Sequence, residues 1–229
     1  MKKIGIIGGV GPASTVVYYN DLIQGYRKLS GDENYPQIFI NSINMTEMLN
    51  YVGNNDREGL TDFLLSEIEK LSVIGADYIA IASNTPHLVI DNLIEKSTVP
   101  MISIVEETCK YAKSKALKKV LLTGTLFTMK QNFYKNALEK YNIECILPDE
   151  NEMNIIHNII FPDLENGIVI EKDKVILKAL CNKIISEKHI DGIILGCTEL
   201  PLMLKDNDFS ICVLDTMAIH IKSILDKMI

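Results

Sequence analysis

The sequence predicts an α/β protein: two pseudosymmetric domains, each a parallel sheet with helices on both faces, and a site between them. Three observations predict it. Short apolar runs alternate with longer amphipathic stretches. The runs lack the in–out alternation of a strand with one wet face. And two segments of the first half return, in order, in the second.

The runs are Lys3–Ile7, Gln37–Ile40, Tyr78–Ala82, Met101–Ile104, Lys119–Leu122, Glu144–Leu147, Gly192–Leu195 and Ile211–Leu214. Each is short and continuous, as suits a strand covered on both faces. Between them, Leu60, Phe63, Leu64, Ile68 and Leu71 recur three or four residues apart. So do Ile176, Ala179, Leu180 and Ile184. That spacing puts each set on one face of a helix.

The repeat is the most informative feature. Asp77-Tyr78-Ile79-Ala80-Ile81-Ala82-Ser83-Asn84-Thr85 lies over Asp191-Gly192-Ile193-Ile194-Leu195-Gly196-Cys197-Thr198-Glu199, an offset of 114 residues (191 − 77). Lys2–Gly9 lies over Lys118–Thr125, an offset of 116 (118 − 2). Two segments at nearly one spacing imply two similar halves. The domains are placed at 1–101 with 214–229, and at 102–213, the last helix returning to the first half. Ligands of open α/β sheets sit at the carboxyl ends of the strands. Here those ends carry Gly8–Pro12, Ser83–Thr85, Gly124–Thr128 and Cys197–Glu199, with Ser83 and Cys197 in equivalent positions. If the halves face each other, the four loops converge on one small-molecule pocket.

Composition narrows the function. The 229 residues carry 23 Lys and Arg against 30 Asp and Glu, a formal charge of −7, so the basic footprint of a nucleic-acid binder is missing. Trp is absent, which removes the best base-stacking side chain. The lysines at 113, 115, 118 and 119 read as cations at a helix end. No apolar run approaches the ~20 residues of a membrane span. The start, Met1–Ile7, breaks at once into Gly8-Gly9-Val10-Gly11-Pro12, without the apolar core of a signal peptide. Five widely spaced cysteines, with no Cys-x-x-Cys, indicate neither a disulfide framework nor a zinc site, and fit a reducing cytoplasm.

Chemistry concentrates in the loops. Cys197 follows a strand and precedes an expected helix, whose N-terminus would lower its pKa and make it a base or nucleophile. Cys109, Cys145, Cys181 and Cys212 fall in helix or strand patterns and read as packing. Glu199 either caps that helix or holds a substrate ammonium. Gly8–Pro12 lacks a complete dinucleotide or Walker signature, so its expected use, around Gly11, is close backbone approach to a small anion. Thr125 and Thr128 offer hydroxyls that serve as caps, as ligand donors, or both. Ser83, Asn84, Thr85 and His87 form a dense polar group, but without a nucleophile elbow. The four histidines have no metal-ligand spacing.

These motifs, in this order on a duplicated scaffold, resemble the aspartate/glutamate racemase family, the pyridoxal-phosphate-independent amino acid racemases. The resemblance spans nearly the whole chain. It implies a cofactor-independent isomerase, often a homodimer, acting on an acidic amino acid. One group removes the α-proton and another returns it on the opposite face. It implies Cys197 and Ser83 as the two acid/base groups, and Asn84, Thr85, Thr125, Thr128, Thr198, Glu199 and Gly11 around the substrate. Aspartate is favoured over glutamate, because the first loop lacks the Asp-Ser pair seen among glutamate racemases. The family usually has cysteine at both positions. Here the first is Ser83, a much weaker acid and a poor base near neutrality. That departure leaves a single-thiol decarboxylase or isomerase of the same superfamily, or an inactive carboxylate-binding homologue, as alternatives. Arg57, Lys172 and Lys174 are the candidates for reading a side-chain carboxylate.

Overall fold

The computed structural model describes residues 2–31 and 33–229. Among these, eight strands form two four-stranded sheets of the same topology. The first holds β1 (Ile4–Gly8), β2 (Ile38–Ser42), β3 (Tyr78–Ile81) and β4 (Met101–Ile102), in the order β2-β1-β3-β4. The second holds β5 (Lys119–Thr123), β6 (Glu144–Ile146), β7 (Gly192–Leu195) and β8 (Cys212–Asp215), in the order β6-β5-β7-β8. All pairings are parallel, with Ile4 beside both Ile38 and Tyr78, and Val120 beside both Cys145 and Gly192. The intervening helices are α1 (Pro12–Ser30), α2 (Met45–Gly53), α3 (Arg57–Val73), α4 (Ile90–Lys96), α5 (Ile104–Ser114), α6 (Leu126–Lys130), α7 (Phe133–Glu139), α8 (Glu150–Ile160), α9 (Glu171–Lys188), α10 (Leu200–Met203) and α11 (Thr216–Met228). None is long and apolar enough to cross a membrane.

Each apolar run of the sequence is a strand, but full coverage on both faces holds only for the central ones. β1 and β7 are buried throughout, and β3 and β5 everywhere but their first residue. β2 and β6, at the sheet edges, are half-exposed. An edge strand has one neighbour, and its outer side needs no apolar cover.

One device recurs in both halves. The amides of Lys3 and Lys119 donate to the carboxylates of Asp77 and Asp191, at 2.7 and 3.0 Å. The aspartate amides in turn donate to the Lys3 and Lys119 carbonyls, at 2.8 and 3.0 Å. Each aspartate thus supplies an acceptor at the frayed start of a central strand, where the ladder has none. These residues head the two repeated segments.

The chain divides into two compact units. One comprises the residues up to Ile104 together with His220–Ile229, and the other Val105–Ile219. The second boundary lies beyond the 213/214 junction expected from the sequence, because β8 runs to Asp215 and completes the second sheet beside β7. In the first unit, Leu60, Leu64, Ile68 and Leu71 of α3 pack with Ile79 and Ile81 of β3, the stripe expected for that helix. α11 is anchored there by His220. Its Nε2 faces the Ile102 carbonyl at 2.9 Å, so it carries the proton, and Tyr18 donates its hydroxyl to Nδ1 at 2.8 Å. In the second unit, α9 buries Leu177, Cys181, Ile184 and Ile185 against Ile193 and Leu195. Ile176 and Ala179 face solvent, contrary to the expected stripe. From Val175 to Ile185 α9 is apolar nearly all round, so spacing alone did not choose its buried face.

Candidate active site

In the first unit, β1 ends in the Gly8–Pro12 loop, which turns directly into α1. Gly11 is the N-cap, with φ 85°, and its carbonyl accepts from the Ser14 hydroxyl at 2.8 Å. Gly9 has φ 82°, and a Cβ there would lie 2.6 Å from the Ile43 carbonyl oxygen, so this approach admits only glycine. Ser83 follows β3 by two residues and is buried, as is Asn84; Thr85 is half-buried and opens a short 3₁₀ turn. No side chain of this unit hydrogen-bonds the Ser83 hydroxyl among the described residues. His87, on the same turn, is buried, and its ring nitrogens have no hydrogen-bond partner among the described residues. Burial, with His220 nearby, pushes its pKa down to about 3. Its ring makes no hydrogen bond to the Ser83 hydroxyl, and so low a pKa makes it a weak base, so the two form no nucleophilic pair.

In the second unit, β5 ends in Gly124-Thr125. Thr125 caps α6, its hydroxyl accepting from the Thr128 amide at 3.3 Å, and the two hydroxyls lie 3.2 Å apart. Capping is therefore real here. Thr128 is fully buried beneath the loop. His157 of α8 holds the same loop, Nδ1 accepting from the Leu126 amide at 3.4 Å.

Cys197 follows β7 by two residues, as Ser83 follows β3. Cys197, Thr198 and Glu199 are all buried. Glu199 stands at the N-cap position of α10 but caps nothing with its side chain. Its Oε2 instead accepts from the Cys197 thiol at 3.0 Å and from the Thr198 hydroxyl at 3.0 Å. The expectation of a low thiol pKa is overturned. Burial raises it well above the usual value, and the Glu199 and Glu165 carboxylates raise it further. The helix that was to lower it, α10, spans four residues and begins three beyond the sulfur, so it has almost no dipole to offer.

Glu165 was missed in the sequence. It lies on the 3₁₀ turn Leu164–Asn166, thirty-two residues before Cys197 (197 − 165), where no periodicity or motif marks it. Its carboxylate, the Cys197 sulfur and the Glu199 carboxylate lie within 4.8 Å of one another. Burial and the Glu199 charge raise its pKa to about 7. A thiol and two carboxylates are a donor set that a divalent cation could use. They are equally a set of acid/base groups, of which Glu165 titrates near neutrality. Lys172 and Lys174 lie on the first turn of α9, and Arg57 lies at the exposed start of α3.

A strand-end thiol hydrogen-bonded to a carboxylate can pass a proton to it. Residues 7–224 match the family model for Asp/Glu/hydantoin racemases. The broad-specificity amino-acid racemase of Bacillus subtilis is 29% identical, over 96% of this chain and 95% of its own. The crystal structure of an aspartate racemase homologue from Pyrococcus horikoshii is 38% identical. It superposes with a TM-score of 0.87, covering 100% of this chain and 99% of that one. A glutamate racemase from Fusobacterium nucleatum is 31% identical over 65% of this chain and 52% of its own. The chain belongs to the Asp/Glu/hydantoin racemase family, and its enzyme class is amino acid racemase, an isomerase.

Proposed function

We propose that this racemase inverts an amino acid without a cofactor, by proton transfer on two faces, with Cys197 on one face and Ser83 on the other. The observation that carries the reading is the Cys197–Glu199 hydrogen bond at the end of β7. In the resting site the sulfur holds its proton and Glu199 accepts from it. For abstraction, the thiol proton passes to the Glu199 carboxylate, and the thiolate takes the α-proton. For the return direction, the thiol itself is the acid. The carbanion between these steps needs hydrogen-bond donors fixed around the α-carboxylate. Asn84, Thr85, Thr125, Thr128, Thr198 and the Gly11 loop are proposed for that task, because all lie at strand ends in the two repeated halves.

Ser83 supports the second role by its equivalence to Cys197, the two lying two residues past β3 and β7, the corresponding strands of the two sheets. A serine is a weaker acid than a thiol, so the two directions run unequally. The acidic-substrate reading, aspartate before glutamate, rests on the resemblance and on the family's description. A homodimer rests on the resemblance alone, and a cytoplasmic setting is supported by five free thiols.

Incubating each enantiomer of a panel of amino acids in deuterated water tests the reading. Exchange at Cα with inversion supports it. Exchange without inversion, retained unchanged in Cys197→Ser, overturns it.

A further inference from the structure

Cys197 is carried by the end of β7, and two buried hydroxyls bond that end. Thr123, the last residue of β5, donates its hydroxyl to the Ile194 carbonyl at 2.7 Å. Thr216, the first residue of α11, donates its hydroxyl to the Leu195 carbonyl at 2.8 Å. The Gly196 amide donates to the Thr123 carbonyl at 2.8 Å. Three consecutive residues, 194–196, are thus pinned immediately before the sulfur. Thr216 is held in turn. The hydroxyl of Tyr134, on α7, bonds the side chains of Thr216 and of Thr108 on α5. The Thr216 proton is committed to a carbonyl, which only accepts. Tyr134 therefore donates to Thr216, and Thr108 to Tyr134. All four side chains are fully buried.

The fold alone does not require these hydroxyls. The first unit repeats the sheet order and the bond past the strand end, the Ala82 amide donating to the Ile7 carbonyl at 2.9 Å. Ile7 is the counterpart of Thr123 at the 116-residue offset (123 − 116), and it has no hydroxyl. The added hydroxyl belongs to the half that carries the thiol. A bonded, buried hydroxyl contributes little net stability, and an apolar side chain of the same shape serves a core about as well. What it adds is direction. It fixes the peptide planes of Ile194 and Leu195, and so the point where Cys197 leaves the strand. We propose that Thr216, together with Thr123, is a positioning residue that sets the Cys197 sulfur at the reacting carbon, a role that rests on the racemase reading above. Neither hydroxyl gives or takes a substrate proton. A displacement of about 1 Å at a reacting group can cost about a hundredfold in rate.

The test removes each hydroxyl at nearly constant shape, in Thr216→Val and Thr123→Val, with Thr216→Ser as the conservative control. Exchange of the α-proton is followed for both enantiomers of aspartate and of glutamate in deuterated water. For the enantiomer that exchanges faster, whose α-proton faces Cys197, Thr216→Val should lower kcat about tenfold and change KM by less than about twofold. Thr123→Val, acting one residue further from the sulfur, should show the same split at about threefold. The slower enantiomer, served by Ser83, should stay within about twofold of wild type, and Thr216→Ser should restore the fast rate to the same margin. Equal slowing of both enantiomers, which is the mark of a merely structural role, overturns the inference. So does a loss confined to KM, or an unchanged fast rate. Thr123→Val decides alone if Thr216→Val does not fold. If the wild type exchanges neither amino acid, the racemase reading fails and iodoacetamide labelling decides the positioning. A loosened loop exposes its thiol, so labelling of Cys197 relative to Cys212 should rise at least about threefold in Thr216→Val and not in Thr216→Ser. An unchanged ratio refutes the inference.

Discussion

The Cys197 thiol donates to Glu199 Oε2 at 3.0 Å, and both groups are buried. That pairing reverses the usual picture of an activated cysteine. A cation or helix N-terminus beside a thiol stabilises the thiolate, whereas here the neighbour is an anion that stabilises the thiol. The proton is stored on sulfur, with a carboxylate in reach to take it.

Cys197 should therefore alkylate slowly at neutral pH. Glu199→Gln removes the charge that raises its pKa, so iodoacetamide labelling at Cys197 should become faster in that variant. Peptide mapping by mass spectrometry reads the rate at this one position. The same variant should lose turnover by roughly 10²–10⁴-fold, the usual contribution of a positioned acid/base group. Slower labelling in Glu199→Gln would show that the carboxylate does not govern the thiol.

Ser83 and Cys197 should treat the two faces of a bound amino acid differently. One enantiomer should exchange its α-proton faster than the other in deuterated water. Ser83→Cys should accelerate the slow direction by roughly tenfold or more and bring the two rates together. Cys197→Ser leaves two hydroxyls and should abolish exchange from both enantiomers. Nuclear magnetic resonance of the α-proton follows both enantiomers in each protein, and an unchanged slow direction in Ser83→Cys removes Ser83 from the mechanism.

Glu165 gives stability a definite dependence on pH. Its native pKa, about 7, lies above its ordinary value of 4.5. Between these values the native state binds more protons than the unfolded state, so stability from this residue falls as pH rises from about 4.5 to 7. Glu165→Gln has no proton to lose. The difference in urea midpoint, variant minus wild type, should grow in favour of the variant across that window. A flat difference would place the Glu165 carboxyl at its ordinary pKa.

The buried face of α9 can be tested by neighbours one residue apart. Leu177→Ala opens a cavity under the second sheet and should cost about 2–5 kcal/mol. Ile176→Ala, on the exposed side, should cost within about 0.5 kcal/mol. Equilibrium denaturation separates the two, and equal losses would mean the helix is rotated from the orientation described.

The architecture was legible because its signals are local or repeated. Continuous apolar runs marked all eight strands, and the 114- and 116-residue offsets paired the halves (191 − 77 and 118 − 2). The face of α9 was not legible, because eight apolar residues crowd Val175–Ile185 and several stripes fit equally. Within the site, Cys197, Thr198 and Glu199 could be found from one motif at one strand end. Glu165 could not, since only folding brings a turn after α8 to a loop after β7. The thiol's electrostatics were misread for a similar reason. Sequence showed a helix to follow, but neither its four-residue length nor the burial of the acid beside the sulfur.

Both ends of the chain belong to one unit: Lys2 donates its amide to the Met228 carbonyl at 3.4 Å, and His220 bonds to Tyr18 and Ile102. The second unit is a continuous stretch, Val105–Ile219, set inside the first. On a ribosome the order of completion is therefore inverted. The first unit emerges early but stays without His220–Ile229 until the whole second unit has been made, while the second can close as soon as Ile219 clears the exit tunnel. A nascent chain stalled before His220 carries a finished second half and a first half whose Tyr18 hydroxyl still has no imidazole to bond.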